Sequence, residues 1–110
     1  MWNIPSNERL AKLPGLYQTE FIPLQQKAVH LHLFIADCDW YCIEFDGKDI
    51  FWGFAILNND YRNAEFGYFS LSEMMPIKVG GFLEIDCELE EHWTIQPTIE
   101  IEKIRKAKGW

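Results

Sequence analysis

The sequence predicts an α+β domain: one antiparallel sheet of about five strands, with a short N-terminal helix and a C-terminal helix. Three observations carry that reading. Apolar and polar residues alternate in successive short segments between residues 29 and 90. Turn formers such as Asp46-Gly47, Asn58-Asn59-Asp60 and Gly80-Gly81 separate those segments. Helix-forming residues with capping signals stand near the two ends, with a single helical turn between strands before Pro76.

Taken in order, Ser6 caps a short helix through Asn7 to Lys12, stopped by Leu13-Pro14-Gly15. Residues 16–28 are mixed, and Pro23 forbids a central strand there. Val29 to Ile35 alternates, with Val29, Leu31, Leu33 and Ile35 expected on one face and His30, His32 and Phe34 on the other. Asp37-Cys38-Asp39 reads as a turn. Trp40 to Asp46 is the next strand, closed by the Asp46-Gly47 hairpin signal. Ile50 to Leu57 returns antiparallel and is apolar on both faces, as a central strand is. Glu65 to Leu71 is a shorter strand, after which Ser70 or Ser72 caps a helical turn that ends before Pro76. Residues 82–90 alternate strictly, with Leu83, Ile85, Cys87 and Leu89 expected inward and Glu84, Asp86, Glu88 and Glu90 outward. Pro97 to Lys108 is the final helix, its cations at the end that the helix dipole favours and Gly109 beyond it.

The chain has 110 residues, 48% hydrophobic and 25% charged, which is the composition of a single domain spanning 1–110. Seventeen aromatic residues make disorder untenable. No apolar run approaches the roughly 18 residues of a membrane span. The N-terminal segment lacks the charged and apolar regions of a signal peptide. Three cysteines form no Cys-x-x-Cys pair, so a reducing cytoplasm is the expected compartment.

Charge is the most informative bulk property. Seventeen acidic and ten basic residues give a net charge of −7. All the acids and six of the cations fall within residues 1–102, leaving −11 there and +4 on the last eight residues. Such a chain repels nucleic acid and anionic membranes. A basic protein is the partner it fits. In a strand, the carboxylates of Glu84, Asp86, Glu88 and Glu90 would stand about 6.6–6.8 Å apart on one face. That row, with Glu91, is the candidate recognition surface and has a spacing near that of successive phosphates. The plainer reading is a charged edge that blocks aggregation. Trp40 and Trp52, on strands joined by the hairpin, are the candidate aromatic anchors.

Catalytic signals are sparse. His30-x-His32 is a weak metal-ligand candidate, needing a third donor such as His92, Cys38 or an acid from elsewhere in the fold. Glu44 and Asp46 are expected on one strand face with Cys42, which makes paired-carboxylate chemistry geometrically possible. No nucleophile elbow, phosphate loop or zinc-protease motif is present. No catalytic residue and no cofactor is assigned.

Four segments occur in a telling order: Leu13-Pro-Gly-Leu-Tyr-Gln-Thr-Glu20, Pro23-Leu-Gln-Gln-Lys27, Trp40-Tyr-Cys-Ile-Glu-Phe-Asp-Gly-Lys-Asp49 with Phe51 and Gly53, and Gly67-Tyr-Phe-Ser-Leu-Ser-Glu73. Over residues 10–97 the chain resembles a family of small bacterial mobile-element proteins, the domain of unknown function 2958. Residues 98–110 then form a basic C-terminal helix or tail outside that core. Where the family tends to show Arg-Asp before an aromatic residue and a proline, this chain has Glu91-His92 before Trp93 and Pro97. The resemblance implies no catalytic residues. Its mobile-element setting implies an inhibitor of a host nucleic-acid-binding or defence protein. The expectation is therefore an acidic, non-enzymatic binding module. The alternatives are a small metal- or ligand-binding enzyme using His30 and His32, and a structural homo-oligomer subunit.

Overall fold

The computed structural model describes all 110 residues. In chain order the elements are α1 (Asn7–Leu10), β1 (Ala28–Val29), β2 (Leu31–Ile35), β3 (Cys38–Phe45), β4 (Ile50–Ile56), β5 (Glu65–Ser70), α2 (Leu71–Met74), β6 (Lys78–Val79), β7 (Leu83–Glu84), β8 (Asp86–Cys87), β9 (Gln96–Pro97) and α3 (Glu102–Lys108). The main sheet is antiparallel, in the order β5-β4-β3-β2-β8, so the fold is α+β with a short helix at each end. No helix is long and apolar enough to cross a membrane.

Local chemistry explains the elements. Ser6 accepts a hydrogen bond from the Arg9 amide and so caps α1. Ser70 does the same for α2 through the Glu73 amide. At the β3–β4 hairpin, Asp46 Oδ1 accepts from the amides of Lys48, Asp49 and Ile50, while Gly47 takes a φ of 83°. Gly53 allows β3 and β4 to approach closely, since a Cβ there would lie 2.0 Å from the Tyr41 carbonyl oxygen.

Two apolar clusters fill the two faces of the sheet. One gathers Leu31, Leu33, Cys42, Phe45, Phe51, Ile85 and Cys87 under α1 and α2. The other gathers Val29, Tyr41, Ile43, Phe54 and Ile56 under α3, which contributes Ile104, with Ile101 just before it. The basic end of the chain thus packs on the sheet face formed by β3 and β4, and its lysines meet Asp39, Tyr61 and Phe66 and pair with none of the 84–91 acids. Lys106 and Lys108 lie over the rings of Tyr61 and Phe66, at 4.4 and 5.8 Å.

Five local expectations change. Val29 does not share a face with Leu31: β1 pairs with β9, its carbonyl accepts the Trp93 indole N–H, and the strand breaks at His30. The turn after β2 is Ala36-Asp37, while Cys38 and Asp39 already pair with Ile35 and Phe34. A register shift between Cys42 and Glu44 sets Glu44 opposite Trp52, which packs on the second cluster, whereas Cys42 belongs to the first. Residues 82–90 are not one strand: β7 pairs with β6, β8 pairs with β2, and Leu89 is exposed. Regular α-helix begins only at Glu102, after a tight turn at Thr98–Glu100.

Candidate functional site

The acidic row is divided by its own hydrogen bonds. Glu84 Oε1 accepts from the amino group of Met1 at 2.6 Å, and that contact holds its carboxyl below the usual range. Asp86 Oδ1 accepts from Asn3 Nδ2 and from the amide of Cys87, a local bond that competes with regular strand pairing. Buried Arg9 donates to the Glu88 carbonyl at 2.7 Å and fastens the end of β8 to α1. Glu90 pairs with Lys12 at 3.2 Å, with both side chains largely in water. Glu91 is exposed. The row therefore presents free charge mainly at its far end, where the following segment adds Glu100 and Glu102 beside Trp93 in one cleft with Glu88.

A chain of hydrogen-bonded ionisable side chains runs beneath that cleft. Lys103 Nζ donates to Asp39 Oδ2 at 2.9 Å, Asp39 Oδ1 meets His32 Nε2 at 2.7 Å, and His32 Nδ1 meets Glu88 Oε1 at 3.0 Å. An ionised carboxylate only accepts, so both bonds to the ring form together when each nitrogen carries a hydrogen. The His32 ring lies flat on Tyr41, centroids 4.6 Å apart with 6° between planes, and Trp93 tilts against it at 5.5 Å. Burial pushes the Asp39 carboxyl up, but hydrogen bonds and charge from His32 and Lys103 outweigh it and hold the group below its ordinary value. Burial, reinforced by the Asp39 charge, raises the Tyr41 phenol. The chain ties α3 to β3, β3 to β2, and β2 to the acidic end of the row.

His30 and His32 line different clefts. His30 stands with Arg9, Lys12, Glu90 and Trp93, and burial lowers its pKa. Both His32 nitrogens already face carboxylates, and no group of three or more His, Cys, Asp or Glu side chains converges as a metal site would require. Burial pushes the Cys42 thiol well up and the Cys87 thiol to about 11, which suits packed residues and not nucleophiles. Trp40 packs on the first apolar cluster and Trp52 on the second, both half-buried, so the two candidate anchors occupy opposite faces of the sheet.

One polar constellation escapes the sequence reading. Thr19, Lys27 and Glu44 are all buried. Glu44 Oε1 accepts the amide of Tyr17 at 3.0 Å, and its Oε2 accepts the amide and hydroxyl of Thr19. Lys27 Nζ donates to the Thr19 carbonyl and, at 2.9 Å, to the Thr19 hydroxyl. The ammonium also lies 5.4 Å from the Trp52 ring centroid. At this cluster opens a shallow pocket lined by Tyr17, Glu20, Leu24, Trp52 and Tyr68 together with Lys27 and Glu44. The Tyr68 phenol is raised first by the neighbouring Tyr17 hydroxyl, then by desolvation and by the Tyr17, Glu44 and Glu20 charges. The available signal was Glu44 itself, a lone acid inside the apolar run Trp40–Phe45, because a buried carboxylate needs a partner from elsewhere.

No family model, no curated protein and no solved structure matches this chain.

Proposed function

We propose that the chain is a non-enzymatic binding module for a basic protein partner. The observation that carries this reading is the acidic cleft around Trp93, which Glu88, Glu100 and Glu102 help to line, while Glu90 and Glu91 stand exposed on the preceding turn. Lys12 and Lys103 are the cations paired within this surface, and Ile95, half exposed, offers an apolar contact beside it. The carboxylates set encounter rate and selectivity, and Trp93 with Ile95 supplies apolar burial. The Lys103–Asp39–His32–Glu88 chain fixes the floor of the cleft, so the acids are presented from a rigid base. The finer reading belongs to the same proposal: an inhibitor carried by a mobile element, acting in the cytoplasm on a nucleic-acid-binding or defence protein whose basic groove the carboxylates occupy. It rests on the family resemblance of segments 13–20, 23–27, 40–49 and 67–73, and on the chain's charge.

The test uses a variant with Glu90, Glu91, Glu100 and Glu102 changed to Gln, which spares the structurally engaged Glu88. Purified basic nucleic-acid-binding proteins are titrated against both forms at low and high salt. The expected result is binding by the parent that weakens with salt and falls at least tenfold in the variant. Equal affinity of the two forms overturns the reading.

A further inference from the structure

The two edges of the main sheet are treated differently. At the β8 edge, the N-terminal segment closes the ladder: the Trp2 amide donates to the Ile85 carbonyl at 2.8 Å, and Trp2 bridges Asp86 in parallel. At the other edge, β5 pairs with β4 in unbroken register from Ile50↔Ser70 to Ala55↔Glu65, and, apart from the helix cap at Ser70, no turn or loop backbone group bonds to it. Proteins that leave such an edge open blunt it with proline, lysine, a bulge or a covering loop. β5 has no proline, no lysine and no bulge, and it carries one charge, Glu65. Directly beside it lies the aromatic pocket, to which β5 itself contributes Tyr68, 56% exposed, facing Tyr17, 62% exposed.

We infer that the open β5 edge and the Tyr17–Trp52–Tyr68 pocket form a docking site for an extended basic segment of a partner protein, which adds as a strand to β5. Strand addition matches the unpaired backbone groups of the edge, and the pocket receives one of the side chains that alternate along the incoming strand. Charge decides the partner's chemistry. Glu20 lines the pocket, Glu65 stands at the start of β5 and Glu73 just beyond its end, all exposed. Of the cations nearby, Lys27 lines the pocket but is buried and held by Thr19, Lys108 lies over the Phe66 ring, and Arg62 is exposed just before β5. An arginine or lysine stem lying on Tyr17 and Tyr68 keeps its charge beside Glu20, an arrangement favoured by both ring quadrupoles and carboxylate. A second copy of this chain is disfavoured as occupant, because it brings its own net charge of −7 to the same edge. The inference takes the sign of the partner's charge from the binding-module reading but uses the opposite edge of the sheet.

The probe is a capped hexapeptide, Lys-Thr-Lys-Val-Lys-Thr, compared with Glu-Thr-Glu-Val-Glu-Thr, on the full chain. Amide hydrogen exchange is read at residues 65–70 and 83–88. The expected result is that the basic peptide slows the β5 amides that point away from β4 at least tenfold, leaves 83–88 unchanged, and loses at least tenfold in affinity on Glu20→Lys with Glu65→Lys. Equal protection by both peptides, protection elsewhere only, or β5 amides already protected in a dimer of the chain alone overturns the inference. Running the peptide on the variant with Glu90, Glu91, Glu100 and Glu102 as Gln separates the two proposals: protection of β5 that persists there supports the edge site whatever becomes of the cleft.

Discussion

Lys27 and Glu44 meet only through Thr19, whose hydroxyl accepts from the ammonium and donates to the carboxylate. A buried ion pair usually satisfies itself by direct contact. Here a neutral group carries the bond in both directions, and the Thr19 amide and carbonyl add one further bond to each partner. The otherwise mixed segment 16–28 is tied to β3 at this point.

Thr19→Val removes the bridge while keeping the shape. It leaves a buried ammonium and a buried carboxylate each short of a partner, and the expected loss is about 2–4 kcal/mol of stability. Thr19→Ser keeps the hydroxyl and is expected to retain most of it. Urea unfolding of the three forms reads the difference. A loss below about 0.5 kcal/mol for the valine variant would mean that the bridge contributes nothing.

The strands and caps of this fold were legible because their signals are local: Ser6, Ser70 and Asp46-Gly47 act within a few residues of themselves. The cleft and the buried cluster were not, because each is made by side chains distant in sequence. Lys103 reaches Asp39 across 64 positions, and Thr19 reaches Glu44 across 25. The row at 84–90 misled for a related reason. Its alternation is genuine, but Met1, Asn3, Arg9 and His32 come from elsewhere to bind it, and they break the strand that the alternation alone would form. The same holds for Cys42 and Glu44, which a period of two puts together and a single register shift puts apart.

Asp39 makes the stability of the domain depend on pH in the acid range. Its folded pKa lies below the unfolded one, so it contributes stability above the unfolded value of about 3.9 and loses it as pH falls through the folded value. Asp39→Asn is expected to cost about 1–3 kcal/mol at pH 7, since His32 and Lys103 lose their charged partner. The cost should shrink towards zero as pH is lowered from about 4 to below the folded pKa. Denaturant midpoints of both forms measured from pH 7 to pH 2 check the convergence. Parallel curves would show that Asp39 is not the titrating anchor of the cleft.

Two glycines on neighbouring strands should respond oppositely to the same change. Gly53→Ala places a Cβ 2.0 Å from the Tyr41 carbonyl oxygen, and neither strand can move without disturbing the sheet centre. A loss of at least about 3 kcal/mol is expected, beyond the usual cost of an inserted methyl group. At Gly67 a Cβ would meet no atom within 4 Å, so Gly67→Ala is expected to be neutral or to gain up to about 1 kcal/mol from reduced chain entropy. Thermal unfolding of both variants decides it; similar losses would place the close approach elsewhere.

The carboxylates of the 84–91 row separate into those that hold the fold and those free to meet a partner, and stability distinguishes them. Glu88 meets the His32 ring, and its backbone carbonyl meets Arg9, so the side chain helps lock β8 to β2. Glu88→Ala should cost about 1–2 kcal/mol by leaving His32 Nδ1 without its acceptor in a site 12% exposed. Glu90→Ala removes only a solvated pair with Lys12, and Glu91→Ala removes an exposed charge, so both are expected within about 0.5 kcal/mol of the parent. Chemical denaturation of the three single variants gives the ordering directly. Equal, near-zero effects would return Glu88 to the recognition surface and extend the free row inward. A large loss at Glu90 would instead make the Lys12 pair a structural clamp between α1 and the row, and leave Glu91, Glu100 and Glu102 as the acids available to a partner.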